Sequence, residues 1–464
     1  MPEVNLEDTI AAIATPPGEG GLAVIRISGP SALSIAGKIF RGGPGVHVTE
    51  VAGHTVHYGR ILDARGEAVD QVLLTVFRAP RSYTGEDTAE ISAHGSPAAV
   101  RRILDRVIQS GARMAEPGEF TRRAFLNGRM DLMQAEAVVD LIRAKSDRSR
   151  AVALRHLEGS LSRKLKTLKD SLMLLYAHME AFLDFPEEDI EVYSDETFLR
   201  SFGEIRRELQ ALIASFRRGA LLREGIRCVL AGRPNVGKSS LFNALLERDR
   251  AIVSEFAGTT RDMLEEPLEI CGLAVRLMDT AGLGTDAVHP LDRVGMQRTE
   301  QALAQADLVL LVVDATGPLQ AEDEALRAGL GREHPCIIVA NKCDLPKGLP
   351  DAKLKTFAGS CPVVEVSSVT GKGVELLEKT MAGVFDEKSW NSESEQITRL
   401  RHKLALESAC EALARAEEAF SRRESLDIVT LDVKGALDRM SELIGEIYSE
   451  DLLDVIFSEF CIGK

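Results

Sequence analysis

The stretch Gly232-Arg-Pro-Asn-Val-Gly-Lys-Ser239 constrains the fold of this chain more than any other. It fits the spacing Gly-x-x-x-x-Gly-Lys-Ser/Thr of a phosphate-cradling loop. The glycines let the backbone curl, so that N–H groups of Asn235, Val236, Gly237, Lys238, Ser239 and Ser240 face phosphate oxygens. Lys238 is placed to reach the β- and γ-phosphates, and the Ser239 hydroxyl to bind Mg²⁺. Such a loop needs a strand before it and a helix after it. Ile226-Arg-Cys-Val-Leu-Ala231 reads as a buried strand and Ser240-Leu-Phe-Asn-Ala-Leu-Leu246 as a helix.

Three later motifs choose the nucleotide and the chemistry. Asn341-Lys342-Cys343-Asp344 follows the apolar run Cys336-Ile-Ile-Val-Ala340, so it sits at a strand end. The Asp344 carboxylate can accept two hydrogen bonds from the N1–H and N2–H₂ edge of guanine, a donor pair that adenine lacks. Ser367, Ser368 and Val369 follow the strand-like Val363-Val-Glu-Val366 and suit a contact to the guanine O6. Asp279, Thr280, Ala281 and Gly282 end the strand Leu273–Met278; there Asp279 holds Mg²⁺ through water and the Gly282 N–H senses the γ-phosphate. Four motifs in this order on a βαβ pattern point to binding and hydrolysis of GTP, with GDP as product.

The 464 residues suffice for about three domains. The longest apolar run, Asp307-Leu-Val-Leu-Leu-Val-Val-Asp314, falls well short of the roughly 20 residues that span a bilayer, so no membrane is expected. No basic-then-apolar leader opens the chain, and a cytoplasmic protein is expected. Seven cysteines without a Cys-x-x-Cys pair argue against a disulfide framework and a zinc site. A net charge of −15 does not describe a surface coated for nucleic acid, although it allows a local basic patch.

Patterning divides the rest. Residues 1–122 are β-rich, with strands over Leu22–Ser28, Thr55–Ile61 and Gln71–Phe77 and one helix over Pro97–Gln109. Residues 123–224 turn helical, with Met133, Ala137, Val138 and Leu141 on one face and Leu161, Leu165, Leu168, Leu172 and Leu175 continuing the period. The nucleotide domain fills 225–383. Residues 384–464 open on a polar linker and return to helix, with Leu400, Leu404, Leu406, Ala409 and Leu413 in register and a further helical stretch from Asp432 to Phe460. The expected class is therefore multidomain α+β: a β-rich N-terminal domain and a helical domain interrupted by an inserted Ras-like α/β domain.

Beyond the nucleotide motifs, three segments carry a resemblance. They are Ala14-Thr-Pro-Pro-Gly18 with Arg26-Ile-Ser-Gly29; Ser82-Tyr-Thr-Gly-Glu-Asp87 with Glu90 and His94-Gly95, followed by Pro117 to Leu132; and the terminal Cys461-Ile-Gly-Lys464. Over nearly its whole length the chain resembles the MnmE (TrmE) family of tRNA-modification GTPases. The resemblance implies a folate-binding, dimerising N-terminal domain and a discontinuous helical domain. It also implies a homodimer working in a heterotetramer with the flavoprotein MnmG. Together they place an aminomethyl or carboxymethylaminomethyl group on C5 of the tRNA wobble uridine, with a one-carbon unit from 5-formyl- or methylene-tetrahydrofolate.

The family's folate contacts fall on Arg26, Glu90, Arg129 and Lys464. Glu90 suits the amino-pyrimidine edge of the pterin, and the cations suit the glutamate tail. Without the resemblance, Arg26 would read as a strand-edge arginine and Cys461 as a small buried apolar residue. The resemblance instead makes Cys461 a functional thiol for modification, either adding to the uracil ring or moving a proton. Leu283 follows the Asp-Thr-Ala-Gly segment where Ras-like enzymes carry a water-orienting glutamine, so another group must neutralise transition-state charge. In the family this is K⁺ in a nucleotide-domain dimer, held here by Asn235 and the carbonyls of Ser254, Phe256 and Thr259, with Thr260 on Mg²⁺. Asp292, in Asp-Arg-Val-Gly295, stands where the family has a catalytic glutamate, and Asp286 is the substitute. Two other readings stay open: an Era-like GTP switch in ribosome assembly, and a folate-dependent aminomethyltransferase whose GTPase is only a clamp.

Overall fold

The computed structural model describes residues 7–184, 194–252, 265–279, 302–330, 334–385 and 395–464. They form two compact units, one of Met1–Val139, Arg155–Ile205 and Ser408–Lys464, the other of Asp140–Leu154 and Arg206–Glu407.

The first unit begins with β1 (Ile10–Ile13), β2 (Gly20–Ser28), helix α1 (Ala32–Ile39), β3 (Phe40–Gly42), β4 (Thr55–Leu62), β5 (Ala68–Phe77), β6 (Thr88–Gly95), helix α2 (Pro97–Gln109) and β7 (Arg113–Met114). The strands make one sheet in the order β3-β4-β5-β6-β2-β1-β7, antiparallel except for the parallel β1–β7 pair. Strand period 2 decides the faces. Ile25 and Ile27 of β2, Leu74 and Val76 of β5, and Ile91 of β6 pack with Ile35 and Ile39 of α1 and Ile103 and Val107 of α2. The same alternation sends Arg26 and Glu90 to the other face, directly opposite each other in the β2–β6 register. There Ile10, Ala12, Ala115 and Phe120 form a small second core against Tyr83. Helix α1 was absent from the sequence reading. Its eight residues follow Gly29-Pro30, too short a run for the period to stand out from the flanking strands.

After β7 come α3 (Glu119–Leu126), α4 (Leu132–Arg143), α5 (Asp147–Leu157), α6 (Ser160–Asp184) and α7 (Asp195–Glu224). The second unit's sheet contains β8 (Ile226–Ala231), followed by α8 (Lys238–Ile252), then β9 (Glu265–Ile270), β10 (Leu273–Asp279), β11 (Leu308–Asp314), α9 (Ala321–Gly329), β12 (Cys336–Asn341), α10 (Asp351–Ala358), β13 (Val363–Glu365) and α11 (Val374–Val384). Its strand order is β13-β12-β11-β8-β10-β9. All neighbours are parallel except the β9–β10 hairpin. The central strands β11 and β12 are apolar along almost their whole length because both faces are covered, giving two cores on either side of the sheet. The chain closes with α12 (Leu400–Ser421), α13 (Leu426–Ile444) and α14 (Glu450–Ser458). The single C-terminal stretch expected from Asp432 to Phe460 is two helices, because Gly445 ends α13 with φ +88° and a Cβ there would meet Phe125 and Leu132 at 2.7 and 2.9 Å.

Candidate functional sites

The loop between β8 and α8 has the backbone its glycines imply. Gly232 has φ +150°, and a Cβ on it would lie 2.4 Å from the Val312 carbonyl oxygen; at Gly237, φ +95°, it would lie 2.2 Å from Asn341 Nδ2. Asn235 holds a left-handed φ of 64°. Lys238 is buried, and its Nζ donates to the carbonyls of Gly232 and Arg233, both at 2.9 Å, which ties the loop across itself. Burial pushes the Lys238 ammonium below the ordinary lysine range, with the Asp279 carboxylate opposing that shift. The Ser239 hydroxyl donates to Asp279 Oδ2 at 2.7 Å, so the two expected Mg²⁺ contacts of the loop and of the β10 end stand together.

Asn341 joins three motifs. Its side chain is fully buried; Nδ2 donates to the Val236 carbonyl at 2.9 Å, and Oδ1 accepts from the Ser368 N–H at 3.2 Å and hydroxyl at 3.1 Å. Lys342, at φ 67°, reaches the Asn235 carbonyl at 2.9 Å and Asp314 Oδ2 at 2.6 Å. Ser367 is buried, with its hydroxyl accepting from the Thr370 N–H at 3.1 Å, whereas Asp344 and Val369 are exposed. Ser254, Phe256, Thr259, Thr260, Thr280, Ala281, Gly282, Leu283, Asp286 and Asp292 lie outside the described residues.

Two partners of this site escaped the sequence reading. Asp314 ends β11 and braces Lys342; burial works to raise its carboxyl, but hydrogen bonds from Lys342 and Thr316 prevail and hold it below the usual carboxylate range. Its place at a carboxyl strand end of a parallel sheet was the available signal. Arg233 Nε lies 2.9 Å from both oxygens of the fully buried Asp323, whose side chain also caps α9. No sequence signal pairs those two.

In the first unit, Arg26 Nε donates to Glu90 Oε1 at 2.8 Å. The Arg26 guanidinium carbon stands 5.2 Å from the Tyr83 ring centre and 5.5 Å from that of Phe120. The Lys464 ammonium stands 5.9 Å from the same Tyr83 ring. Burial, and then the charge of Arg26, lower the Lys464 pKa; Glu90 pulls the other way. The terminal segment is anchored by its backbone. Pro117 and Ile462 form an antiparallel bridge, and the Gly463 carbonyl accepts from Arg26 Nη1 at 3.5 Å. Gly463 has φ +99°, and a Cβ there would meet the Ile13 carbonyl oxygen at 2.4 Å. Cys461 is exposed, with its carbonyl 3.5 Å from the Gly118 N–H. Arg129 is exposed, with its stem beside Gly85. Arg26, Glu90 and Lys464 thus converge from β2, β6 and the C-terminus, around an aromatic wall of Tyr83 and Phe120 that sequence reasoning missed.

Known proteins resemble this chain over almost its whole length. A family described as the MnmE helical domain matches residues 132–461, and one described as the GTP-binding protein TrmE N-terminus matches residues 9–129. A tRNA modification GTPase MnmE of Moorella thermoacetica is 47% identical over 467 residues, covering 99% of this chain and 100% of its own. One from Symbiobacterium thermophilum is 46% identical over 459 residues (99% and 100%), and one from Levilactobacillus brevis 43% over 461 residues (98% and 98%). A solved structure of an Aquifex aeolicus Era variant bound to GDP and aluminium fluoride is 25% identical, covers 40% of this chain and 66% of that one, and has a TM-score of 0.28.

Proposed function

The chain belongs to the MnmE family of tRNA modification GTPases, and from that premise we propose that it is a K⁺-activated GTP hydrolase which, with the flavoprotein MnmG, installs an aminomethyl or carboxymethylaminomethyl group at C5 of the tRNA wobble uridine. The observation that carries the GTPase half is the convergence on Asn341 of the phosphate loop and the Ser368 segment. It brings the phosphate-binding loop and the base-binding segment together. Lys238 and the loop N–H groups hold the phosphates. Ser239 and Asp279 fit Mg²⁺, Ser239 through its hydroxyl and Asp279 through water, and Thr260 completes the set. When bound, the metal would supply charge that offsets that of the phosphates. Asp344 is exposed at the mouth, where a guanine edge can reach its carboxylate. Asn235 and the carbonyls of Ser254, Phe256 and Thr259 would hold K⁺, which would supply the positive charge an arginine finger gives elsewhere, and Asp292 would orient the attacking water.

The modification half rests on Arg26, Glu90 and Lys464. Glu90 accepts from the amino-pyrimidine edge of a tetrahydrofolate, while Arg26 and Lys464, with Arg129, offer cations to its carboxylates. The folate supplies the one-carbon unit; Cys461 presents a thiol at the same end of the tail. Tyr83, backed by the buried Phe120, gives that ligand a flat apolar wall.

GTP turnover in KCl against NaCl at equal ionic strength tests the hydrolytic proposal. Strong stimulation by K⁺ is expected; equal rates would remove the K⁺ role and leave nucleotide binding standing. Assay of wobble-uridine modification with the flavoprotein, with and without the folate, tests the other half. Modification undiminished without folate would end it.

A further inference from the structure

The Ser82–Asp87 loop carries Tyr83 over Arg26 and Lys464, yet it belongs to no strand or helix. Something must hold it. The Glu86 side chain turns inward from the loop and is bound at both oxygens. Oε2 accepts from the Ser28 hydroxyl at 2.7 Å and Oε1 from Arg123 Nη1 at 3.1 Å. Arg123 has no solvent exposure. It also donates to the Asp8 carbonyl at 3.0 Å and to Glu119 Oε1 at 3.1 Å, and it ion-pairs with the Asp8 carboxylate. Thr84 is buried and hydrogen-bonded to Ser28 Oγ at 2.7 Å. Further grips come from α3 and its cap, where the Thr121 hydroxyl lies 2.9 Å from the Tyr83 hydroxyl and Asn127 Nδ2 donates to the Thr84 carbonyl at 2.7 Å, and from the Gly29 N–H, which donates to the Asp87 carbonyl at 3.1 Å.

A buried ionic network with this many matched partners is costly to assemble and a weak source of net stability. What it supplies is a fixed geometry for the loop. Glu86 belongs to the Ser82–Asp87 loop, so the Arg123–Glu86 pair acts on the loop that carries Tyr83.

We propose that Glu86, anchored by Arg123, is a positioning residue for the folate-type site: it locks the Ser82–Asp87 loop so that the Tyr83 ring stands as a fixed wall beside Arg26 and Lys464, where a reduced folate would lie. This inference rests on the folate reading above and deepens it, by making Tyr83 the wall that holds the two cations in place for the ligand and the buried pair its support.

The test is a double-mutant cycle on the full-length protein, with calorimetric binding of 5-formyltetrahydrofolate as the readout. Glu86→Ala removes the loop's grip on Ser28 and Arg123, but Arg123 keeps Asp8 and Glu119, so no buried charge is stranded. The variant is expected to bind about tenfold more weakly or worse, with an unchanged far-ultraviolet dichroism spectrum. Tyr83→Ala is expected to weaken binding as much, and the double variant no more than Tyr83→Ala alone. A residue that matters only for folding would not show that non-additivity. Wild-type affinity in Glu86→Ala, or additive penalties in the double variant, would overturn the proposal. If Glu86→Ala fails to fold, Thr121→Val, which frees the Tyr83 hydroxyl from its partner, takes its place in the same cycle with the same expectations. Absence of binding by the wild type would be a different result: it would bring down the folate reading itself, and this inference with it.

Discussion

At the scale of single residues, Asn341 is where the nucleotide site is most exposed to change. Its amide is fully buried and fully used, by the Val236 carbonyl on one side and by Ser368 on the other. Asn341→Ala would leave the Val236 carbonyl and the Ser368 N–H without these partners. The expected cost is about 1–3 kcal/mol of stability, measured by urea unfolding, together with a raised KM for GTP. A stable variant with unaltered KM would show that Asn341 is not the joint described. Gly463 offers a parallel case at the other site. With φ +99° and no room for a Cβ beside Ile13, Gly463→Ala must lift the terminal segment, and with it Lys464. Folate affinity is expected to fall while GTP turnover stays the same; equal folate affinity would mean that the tail is not part of that site. The residues of the phosphate loop and the Asn-Lys-Cys-Asp segment were legible because fixed spacing and strand-end position identify them. Tyr83 and Phe120 were not. Each is an ordinary aromatic in the sequence, and only the register that puts Arg26 opposite Glu90 gathers them round one point.

At the scale of elements, α3 does more than its eight residues suggest. Glu119 pairs with Arg113 of β7, Thr121 meets Tyr83, Arg123 reaches Asp8 and Glu86, and Arg122 pairs with Asp454 at 2.9 Å and with Glu450. Its charges give the first unit a pH dependence whose sign follows from the carboxyls. Burial tends to raise both Asp8 and Glu119. Hydrogen bonds and charge from Arg113 and Arg123 overcome it, and both carboxyls lie below their ordinary range. Carboxyls held low stabilise fully above the ordinary carboxylate value, and the stabilisation is lost as pH falls through it toward the depressed one. Hydrogen exchange of β1 and α3 amides should therefore accelerate as pH drops below about 4, after correction for intrinsic rates, and Glu119→Gln should flatten that response. An equally steep response in the variant would assign the effect elsewhere. Most strands and the long helices could be read from period alone. Helix α1 and the break at Gly445 could not: one is too short for a period, and the other is set by how near Phe125 and Leu132 approach.

At the scale of the whole molecule, sequence patterning and compactness cut the chain differently. Patterning marks 225–383 as the nucleotide domain, and all the contacts described around Asn341, Lys342, Lys238 and Asp323 lie within those residues. The compact unit is larger, because Asp140–Leu154 and Arg206–Glu407 belong to it. Val152 and Leu222 are buried in the core under β8, β9 and β10. Arg148 lies against Gly272 in the β9–β10 turn, with its Nε 3.3 Å from where a Cβ would stand. Asp140 holds Arg223 at 2.9 Å and Arg399 at 2.8 Å, tying the two ends of the insertion together. Nothing in residues 140–154 beyond the apolarity of Val152 signals this, since the helical period serves either unit equally well. A fragment of residues 225–383 is therefore expected to bind GTP but to be less stable than the same residues in the full chain. Baring the surface that Val152 and Leu222 cover should cost about 2–5 kcal/mol. Hydrogen exchange of β9 and β10 amides, compared between fragment and full chain with GTP bound to both, measures this directly. Equal protection would mean that α5 and the end of α7 merely lie against the nucleotide unit and contribute nothing to it. A fragment that cannot bind GTP would show instead that the phosphate loop itself depends on them.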